Sequence, residues 1–309
     1  MKKVIAMLLV VLLVFVFTGC GEGNTTNDKS PAEVRTNSQK QKIEATGDKD
    51  EEPSESVVSS SNDANITETV IFDTNDIKVT AKSISYDGWL GPELVLLIEN
   101  NSSQNIIVQT RNVSVNGLMI DPIFSADVVA GKKTNDKMTI MSSELEFAGI
   151  TTIKNIEFIL HIFNKESWDK IIDSDVIVLT TDATEYVQAY DDSGIVAYDE
   201  DGIKIVAKKL NSSDSILGAD LYLYIENNSK QDITVQVRDV SVNGFMVDPV
   251  FSSKIVHDKK AFDRITFLES DLTDNGITDI REIELRFHIF DTTSWEKIKN
   301  SDIVTISFN

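Results

Sequence analysis

The sequence predicts an all-β chain that ends in two tandem antiparallel β-sandwiches. Three observations support this prediction. The C-terminal part of the chain contains one long segment twice, both copies alternate apolar and polar residues with a period of two, and only short helical patterns interrupt the alternation. Many short strands with turns between them are typical of sandwiches.

The first residues have the composition of an export signal. Lys2 and Lys3 precede residues 4–17, an unbroken apolar run of 14 residues. A membrane-spanning helix needs about 20 apolar residues, so this run fits the hydrophobic region of a signal peptide instead. We therefore expect residues 1–19 to be a signal peptide that is removed.

Cys20 is the single cysteine of the chain and follows the apolar run as Phe17-Thr18-Gly19-Cys20. Small residues before a lone cysteine resemble the lipobox of bacterial lipoproteins, in which signal peptidase II cuts before the cysteine and its thiol receives a diacylglycerol. Phe17 stands where Leu is usual, which predicts less efficient cleavage. A free buried or reactive thiol is the alternative, but a thiol at the end of a signal cannot lie in a folded core. Several acyl chains anchor a protein firmly, so we expect it at the outer face of the bacterial plasma membrane.

Residues 20–68 are predicted to be a lipidated cysteine and a disordered tether. They are rich in Ser, Asn, Lys, Glu and Asp and poor in large apolar residues. Such a segment cannot bury enough apolar surface to offset its loss of chain entropy. A short strand around Val57-Val58 is the alternative interpretation.

The remaining chain is one unit present twice. Of the 28 positions in residues 98–125, 20 are identical in residues 225–252. A repeat of this length indicates a duplicated domain, because solenoid and propeller repeats are much shorter. We expect repeat 1 at residues 69–182, a connector at 183–195 and repeat 2 at 196–309.

Local patterns place strands and turns inside each repeat. Residues 77–82 and 284–289 alternate apolar and polar side chains. Val113-Ser114-Val115-Asn116-Gly117 predicts a strand that enters a tight hairpin, and Pro122 ends the ladder after it.

Two short helical turns are also predicted. Ser143 and Glu146 have the spacing of a capping box, with Gly149 placed to end that turn. Residues 167–172 form the second prediction, with Ser167 as the N-cap of a helical turn that contains Trp168.

A strand ending in Ile-Glu-Asn-Asn-Ser, then Val-Ser-Val-Asn-Gly, Phe-His-Ile-Phe and Ser-Trp, resembles immunoglobulin-like domains of unknown function in lipoproteins of Gram-positive bacteria. The resemblance covers both repeats, residues 69–309. It implies an immunoglobulin-like fold and assigns no activity, so it transfers no active-site residues to this chain.

Composition excludes several function classes. With 29 Lys and Arg against 50 Asp and Glu, the net charge is −21, which argues against a nucleic-acid partner. One cysteine leaves no internal disulfide or cysteine-based metal site. The nucleophile elbow, glycine-rich phosphate loop and zinc-protease motif are absent from the sequence, so we expect no enzyme, no cofactor and no metal.

Aromatic residues supply the candidate binding loop. Trp89 and Leu90 lie in a turn-rich loop between strands, and loops on a rigid sandwich often carry binding residues. Packing beneath the loop is the alternative role for Trp89. Trp168 and Trp295 occupy equivalent positions, which predicts a shared packing role at one end of each sandwich.

Two further sets of residues could hold a metal. Alternation places His161 and His288 on the more polar strand face, where the nearest Glu four residues away is roughly 13 Å distant, so we expect partly exposed structural histidines. Asp191-Asp192 and residues 199–202 form acidic loops whose spacing does not fit a calcium-binding EF-hand. A solvated acidic surface is the favoured interpretation.

Together these patterns predict a lipid-anchored, non-catalytic binding or interaction protein whose partner is an unknown protein or envelope ligand. The alternative is a structural spacer or an accessory subunit of a cell-envelope assembly. Catalysis by an unrecognised Ser-His-Asp set is disfavoured, because both repeats would then carry it.

Overall fold

A computed structural model describes residues 63–212 and 217–308, and within these ranges the chain is all-β with antiparallel sheets. The predicted signal peptide, Cys20 and most of the predicted tether lie outside the described residues. The elements of repeat 1 are β1 Thr69–Thr74, β2 Ile77–Ser85, β3 Glu93–Asn100, β4 Ile106–Val115, β5 Leu118–Met119, β6 Ser125–Val128, β7 Lys132–Thr139, α1 Ser142–Phe147, β8 Asn155–Asn164, β9 Lys170–Asp173 and β10 Ile177–Thr180.

Repeat 2 has the same order of elements. They are β11 Ile195–Glu200, β12 Ile203–Asn211, β13 Gly218–Asn227, β14 Ile233–Val242, β15 Phe245–Met246, β16 Ser252–Ile255, β17 Lys259–Leu268, α2 Glu269–Asp274, β18 Glu282–Asp291, β19 Lys297–Asn300 and β20 Val304–Ser307.

Each repeat contributes two groups of paired strands, and the pairing of β5 with β17 joins the second group of repeat 1 to the first group of repeat 2 in one ten-stranded sheet. In repeat 1, the strand order β1-β2-β3-β7 forms one sheet, while β4 and β8 form the centre of the other with β5, β6, β9 and β10 around them. Repeat 2 pairs β11-β12-β13-β17 and surrounds β14 and β18 with β15, β16, β19 and β20. The duplication seen in the sequence is therefore present in the strand pairing.

The predicted alternation is confirmed and fills the space between the sheets. In β8, Ile156, Phe158 and Leu160 are fully buried, whereas the residues between them are partly exposed. These side chains share one hydrophobic cluster with Val79 of β2 and Leu96 of β3. A second cluster of the same kind lies in repeat 2. Full burial of one such side chain contributes roughly 1.5–3 kcal/mol.

The predicted hairpin after β4 is confirmed in both repeats. Asn116 and Gly117 have φ values of 51° and 81°, and Asn243 and Gly244 have 51° and 84°. Two successive residues with positive φ are what a type I′ turn requires, and this turn matches the twist of the flanking strands. Pro122 lies outside the strands, as predicted.

The first predicted helical turn is present, but its capping is different. Helix α1 is preceded by Met141 in extended conformation, and no side chain caps its N-terminus. Ser143 lies inside the helix, so the predicted capping box is wrong. Gly149 follows the helix with φ 66°, which confirms its role in ending the turn.

The second predicted helical turn, at residues 167–172, is wrong. The Asn164 side chain accepts hydrogen bonds from the backbone N–H groups of Glu166 and Ser167, both at 2.9 Å. Trp168 then adopts a positive φ of 63°, and the chain enters strand β9. An asparagine-stabilised tight turn thus takes the place of a helix N-terminus.

The last residues of the predicted tether belong to the folded part, which corrects the expected boundary at residue 68. Ile66 is buried in the first cluster and pairs with Thr181. Asn65 donates its backbone N–H to the carboxylate of Asp182, and the Asp182 N–H donates back to the Asn65 carbonyl, both at 2.9 Å. Repeat 1 is therefore closed where its first and last residues meet.

The two repeats meet at one point of sheet pairing. Leu118 of β5 pairs in parallel with Lys260 of β17, and the Lys260 N–H donates to the Gly117 carbonyl at 3.0 Å. From the connector, Tyr190 donates its hydroxyl to the Asn116 carbonyl at 2.7 Å. In the described part of the chain, no helix has the length and apolarity needed to cross a membrane.

Candidate functional site

The predicted binding loop presents its aromatic ring to solvent. Trp89 is 95% exposed, so the alternative role of packing beneath the loop is wrong. The loop backbone is held in place, because the Leu90 carbonyl accepts from the Ser142 N–H at 2.8 Å. At Gly91, a Cβ would lie 2.2 Å from the Ile140 carbonyl oxygen, and φ is 144°. A fixed loop therefore carries a free ring, and binding there stays a prediction.

The equivalent tryptophans do not close the ends of the sheets, and the predicted packing role is corrected. Trp168 and Trp295 are each 70% exposed. Each stacks on the phenylalanine of the neighbouring strand, Phe163 or Phe290, with ring centroids 5.5 Å apart. Each tryptophan covers one phenylalanine ring on the outer face of its sheet, and the opposite face of the tryptophan ring is exposed to solvent.

His161 is buried, in contrast to the predicted partial exposure. Its Nδ1 lies 2.5 Å from an Asp173 carboxylate oxygen. Partial burial raises the pKa of Asp173, but hydrogen bonds from His161 and Lys170 outweigh it and hold the pKa below its usual value. His288 meets the amide oxygen of Asn300 at 2.6 Å instead. Within the described ranges, no group of three His, Cys, Asp or Glu side chains could hold a metal ion.

The acidic loops are paired with lysines. Asp191 and Asp192 lie 2.8 Å from Lys208 and Lys204, respectively. The hydrogen bond from Lys208 lowers the pKa of Asp191 most strongly. These contacts fit the expected solvated acidic surface.

The side chains that best define a site lie along a cleft between the repeats. The sequence did not predict this cleft. The cleft has a volume of about 770 Å³. Repeat 1 supplies β4, the segment after β5 and α1, and repeat 2 supplies β16 and β17. The charged side chains along it are Arg111, Asp121, Glu144, Lys254, Asp263 and Arg264.

Local backbone features aim several of these groups. A bulge in β4 gives Asn112 a positive φ of 54°, and its side-chain oxygen accepts from Lys254 across the cleft at 2.6 Å. Glu144 on α1 accepts from the backbone N–H of Asp121 at 3.0 Å. Bulges of this kind redirect a side chain away from regular sheet pairing. Both repeats thus contribute charged groups at fixed positions.

Burial changes the charges in the cleft. It raises the pKa of Asp263 above its usual value, and the hydrogen bonds from Ser253 and the Arg264 N–H only partly offset it. Burial also raises the pKa of Glu144 and lowers that of Lys254. A ligand would meet these groups in partly dehydrated surroundings, where electrostatic interactions are stronger than in water.

Aromatic and charged contacts hold the walls of the cleft together. The ring centroid of Phe147 lies 5.1 Å from that of Tyr222 and 6.1 Å from that of Phe262. Glu157 and Lys259 form a partly buried ion pair between the repeats at 2.6 Å. The geometry of the cleft is therefore set by contacts beyond the charged groups themselves.

A sequence signal for this cleft exists in the differences between the repeats. Phe147 corresponds to Asp274, Tyr222 to Val95 and Phe262 to Asn135. A position outside the core that is aromatic in one copy and smaller or polar in the other indicates a contact that one copy makes alone. The comparison of identical positions could not find these residues.

No family model and no curated protein matches this chain. Among solved structures, it is similar to the YadV chaperone, with 11% identity, 75% of this chain and 100% of that chain covered, and a TM-score of 0.23. It is also similar to the CsuC–CsuE chaperone–tip adhesion subunit complex of Acinetobacter baumannii, with 14% identity, coverage of 69% and 90%, and a TM-score of 0.20. Because both TM-scores are low, neither resemblance supports a function for this chain.

Proposed function

We propose that this chain is a membrane-anchored extracytoplasmic lipoprotein that displays two immunoglobulin-like sandwich domains and binds a ligand without catalysis. The observation that carries the proposal is the cleft in which charged side chains of both repeats meet. Concave sites with a few fixed polar groups and shifted pKa values are the usual location of ligand binding.

The side chains of the cleft favour a small ligand that carries both charges. Arg111, Lys254 and Arg264 offer cations, while Glu144 and Asp263 offer carboxylates from opposite repeats. A zwitterionic peptide or an amino sugar with a carboxylate would meet partners of each sign.

The alternative function is a structural spacer or an accessory subunit of an envelope assembly. It is favoured by the junction between the repeats, where an ion pair, aromatic contacts and the Leu118–Lys260 pairing act together. A spacer needs this junction and has no use for a charged cleft.

The binding proposal is tested by thermal unfolding of the full chain with a panel of zwitterionic dipeptides and carboxylated amino sugars. A ligand that binds the folded chain raises the melting temperature with concentration. Lys254→Met should abolish that rise, whereas Lys133→Met, at an exposed lysine on β7 outside the cleft, should keep it. Retention of the rise in Lys254→Met would mean that the ligand binds outside the cleft, and absence of a rise with every ligand would favour the spacer.

Anchoring is tested separately through Cys20. Cys20→Ala removes the thiol that would receive the lipid, so we expect an unprocessed precursor and loss of metabolic labelling with palmitate. Ser54→Ala, at another position before the described residues, serves as the matched control. A Cys20→Ala chain that still begins at residue 20 and partitions into detergent would contradict lipidation.

A further inference from the structure

The strand edge by which repeat 1 meets repeat 2 is present a second time in repeat 2, where it is free. Leu118 of β5 is fully buried at the junction, and Met119 packs against the hydrophobic cluster of repeat 2. The equivalent residues of β15, Phe245 and Met246, are 49% and 67% exposed. Among the described strands, β15 pairs only with β14. Repeat 2 therefore carries an unused copy of the edge that repeat 1 uses.

The other side of the junction also has a free equivalent. In repeat 2, Lys260 on the outer edge of β17 donates its backbone N–H to the Gly117 carbonyl of repeat 1 at 3.0 Å. Lys133 of β7 is the equivalent residue, because it pairs with β3 in the register in which Lys260 pairs with β13. Lys133 is exposed, and in the described part of the chain the outer edge of β7 is bridged only at Thr139. The two free edges, β15 and β7, are thus the equivalents of two edges that pair with each other at the junction.

The ion pair of the junction is available a second time. Glu157 of repeat 1 and Lys259 of repeat 2 pair at 2.6 Å. Their equivalents are Glu284 of repeat 2 and Lys132 of repeat 1, and neither has an ion-pair partner within the described residues. Glu284 instead accepts from the Ser241 hydroxyl at 3.3 Å. A glutamate near the β15 edge can therefore meet a lysine on the β7 edge, as it does at the junction.

Another contact of the junction has a complementary equivalent of different chemistry. The ring centroids of Phe147 and Phe262 lie 6.1 Å apart across the junction. Asp274 near the β15 edge and Asn135 on β7 stand at the equivalent positions. A carboxylate accepts hydrogen bonds from a side-chain amide, so these two residues are compatible neighbours. Both members of the contact differ between the two pairs, and each pair is complementary.

One equivalent contact would bring two carboxylates together. The hydrogen bond that Lys254 makes across the junction has Asp239 and Asp127 at its equivalent positions. Each carboxylate already has a cation of its own repeat, since Asp239 lies 3.3 Å from Arg286 and Asp127 pairs with Lys165. These ion pairs offset the repulsion between the two carboxylates.

We propose that copies of this chain associate head to tail, with β15 of one copy paired in parallel with β7 of the next. The contact repeats the junction between repeat 1 and repeat 2, and each chain supplies both of the matching edges. Because the two edges are different surfaces, the contact is heterologous and association is not limited to dimers. The proposal requires neither a ligand in the cleft nor the lipid anchor.

The first test joins cysteines on the two edges with a short bismaleimide crosslinker. One Cys20→Ala chain carries Glu284→Cys, and another carries Lys132→Cys. We expect crosslinked dimers when the two chains are mixed in detergent, at least tenfold more than from either chain alone. Glu157→Cys with Lys259→Cys in one Cys20→Ala chain is the matched control, because this pair should crosslink within the chain at the junction.

Exchange of charges tests the same contact without a crosslink. Sedimentation velocity of the full chain in detergent should show an average mass that rises with concentration. Glu284→Lys or Lys132→Glu places like charges at the contact and should move this rise to at least fivefold higher concentration. The chain with both substitutions exchanges the two charges and should restore association. A variant that only misfolds cannot be restored in this way.

Four results would overturn the proposal. The first is crosslinking of the mixed chains no greater than that of each chain alone, when the junction control does crosslink. The second is crosslinking of the Glu284→Cys chain mainly to itself, which would indicate a symmetric contact. The third is a mass that does not change with concentration, which would mean that residues 1–62 or a different protein covers one of the edges. The fourth is failure of the double charge exchange to restore association when its circular dichroism is that of the parent chain.

Discussion

Gly244 holds a backbone conformation that few other residues adopt without strain. Its φ is 84°, and a Cβ built there would meet no atom within 4 Å, so the cost of substitution is conformational and not steric. Gly244→Val should therefore lower the free energy of unfolding by roughly 1–3 kcal/mol. Calorimetry of the full chain measures this change.

Gly244→Asn is the matched control, because asparagine tolerates positive φ far better than a β-branched residue. It should retain most of the stability that Gly244→Val loses. Loss of a binding partner without any change in the thermal transition would contradict the structural role of this glycine.

Asp263 makes the stability of the chain depend on pH in a defined direction. Burial raises its pKa in the folded chain, so the folded chain binds this proton more tightly than the unfolded chain does. The contribution of Asp263 to the free energy of unfolding therefore falls as the pH rises from about 3.9, the usual pKa of Asp, through the raised value. Asp263→Asn removes this dependence and should be more stable than the parent chain at neutral pH.

Urea unfolding of both chains between pH 3.5 and pH 8 measures the difference, which should grow with pH and then level off. Asp136→Asn, at the equivalent position on β7, controls for the loss of one carboxylate. A constant difference across the whole range would show that burial does not change the ionisation of Asp263.

Single residues were predicted well where backbone chemistry decides their role and poorly where distant contacts decide it. Asn116 and Gly117 reveal their turn because positive φ favours those residue types. His161 gives no such signal, since its side chain contacts Asp173, twelve positions later in the chain. The stacking of Trp168 on Phe163 is likewise a product of the turn between them.

At the scale of elements, the link from β13 to β14 depends on one buried side chain. Asn227 donates its side-chain N–H groups to the carbonyls of Gln231 and Ile255, both at 2.9 Å, and accepts from the backbone N–H and the hydroxyl of Ser229. Asn100 makes the equivalent contacts in repeat 1. The side chain thus closes the turn and ties it to β16.

Asn227→Ala should lower the free energy of unfolding by roughly 2–3 kcal/mol, because it leaves the buried carbonyl of Ile255 and the partly buried carbonyl of Gln231 without this donor. Asn228→Ala, at the exposed neighbouring position, serves as the control and should cost far less. Chemical unfolding monitored by fluorescence measures both. Equal stability of the two variants would contradict the role of the buried amide.

Strands were easier to predict than the turns that join them. Period-two alternation identifies β2, β8 and β18 because one face of each is buried against the opposite sheet. The turn at residues 165–168 looks like a helix N-terminus in sequence, since Ser before polar and apolar residues fits both structures. The hydrogen bonds of Asn164 decide between them, and these require the folded strand β8.

At the scale of the whole molecule, the junction between the repeats sets the shape of the cleft. Phe147→Asp with Phe262→Asn replaces both rings by the residues found in the other copy. We expect this variant to loosen the junction, because the contacts of the Phe147 ring with Tyr222 and Phe262 are lost. Pulsed electron paramagnetic resonance measures the distance between spin labels at Lys133→Cys and Glu296→Cys in a Cys20→Ala chain. We expect one narrow distance distribution in the parent chain and a broader one in the variant.

Phe245→Asn is the control, since this half-exposed ring of repeat 2 makes no ring contact with the residues that the structure describes. Its distance distribution should match that of the parent chain. An unchanged distribution in the Phe147, Phe262 variant would mean that the Glu157–Lys259 ion pair and the Leu118–Lys260 pairing suffice to hold the repeats.

The sequence predicted the sheets of each repeat but not the cleft, for a physical reason. Identical positions in the two copies report the contacts that both copies make within themselves. The cleft depends on contacts that each copy makes with the other, and these lie at positions where the copies differ, such as Phe147 and Asp274. These differences can be interpreted only when the position of β17 beside β5 is known.

The closure of repeat 1 at Asn65, Ile66, Thr181 and Asp182 has a mechanical consequence for a chain held at its N-terminal side. A pulling force between residue 63 and repeat 2 enters the fold beside the point where it leaves through the connector. The load therefore crosses the paired hydrogen bonds of Asn65 and Asp182 and bypasses the strands of the repeat 1 core. Under tension, these two residues would act as the first clamp to bear the load, while the sheets behind them stay relaxed.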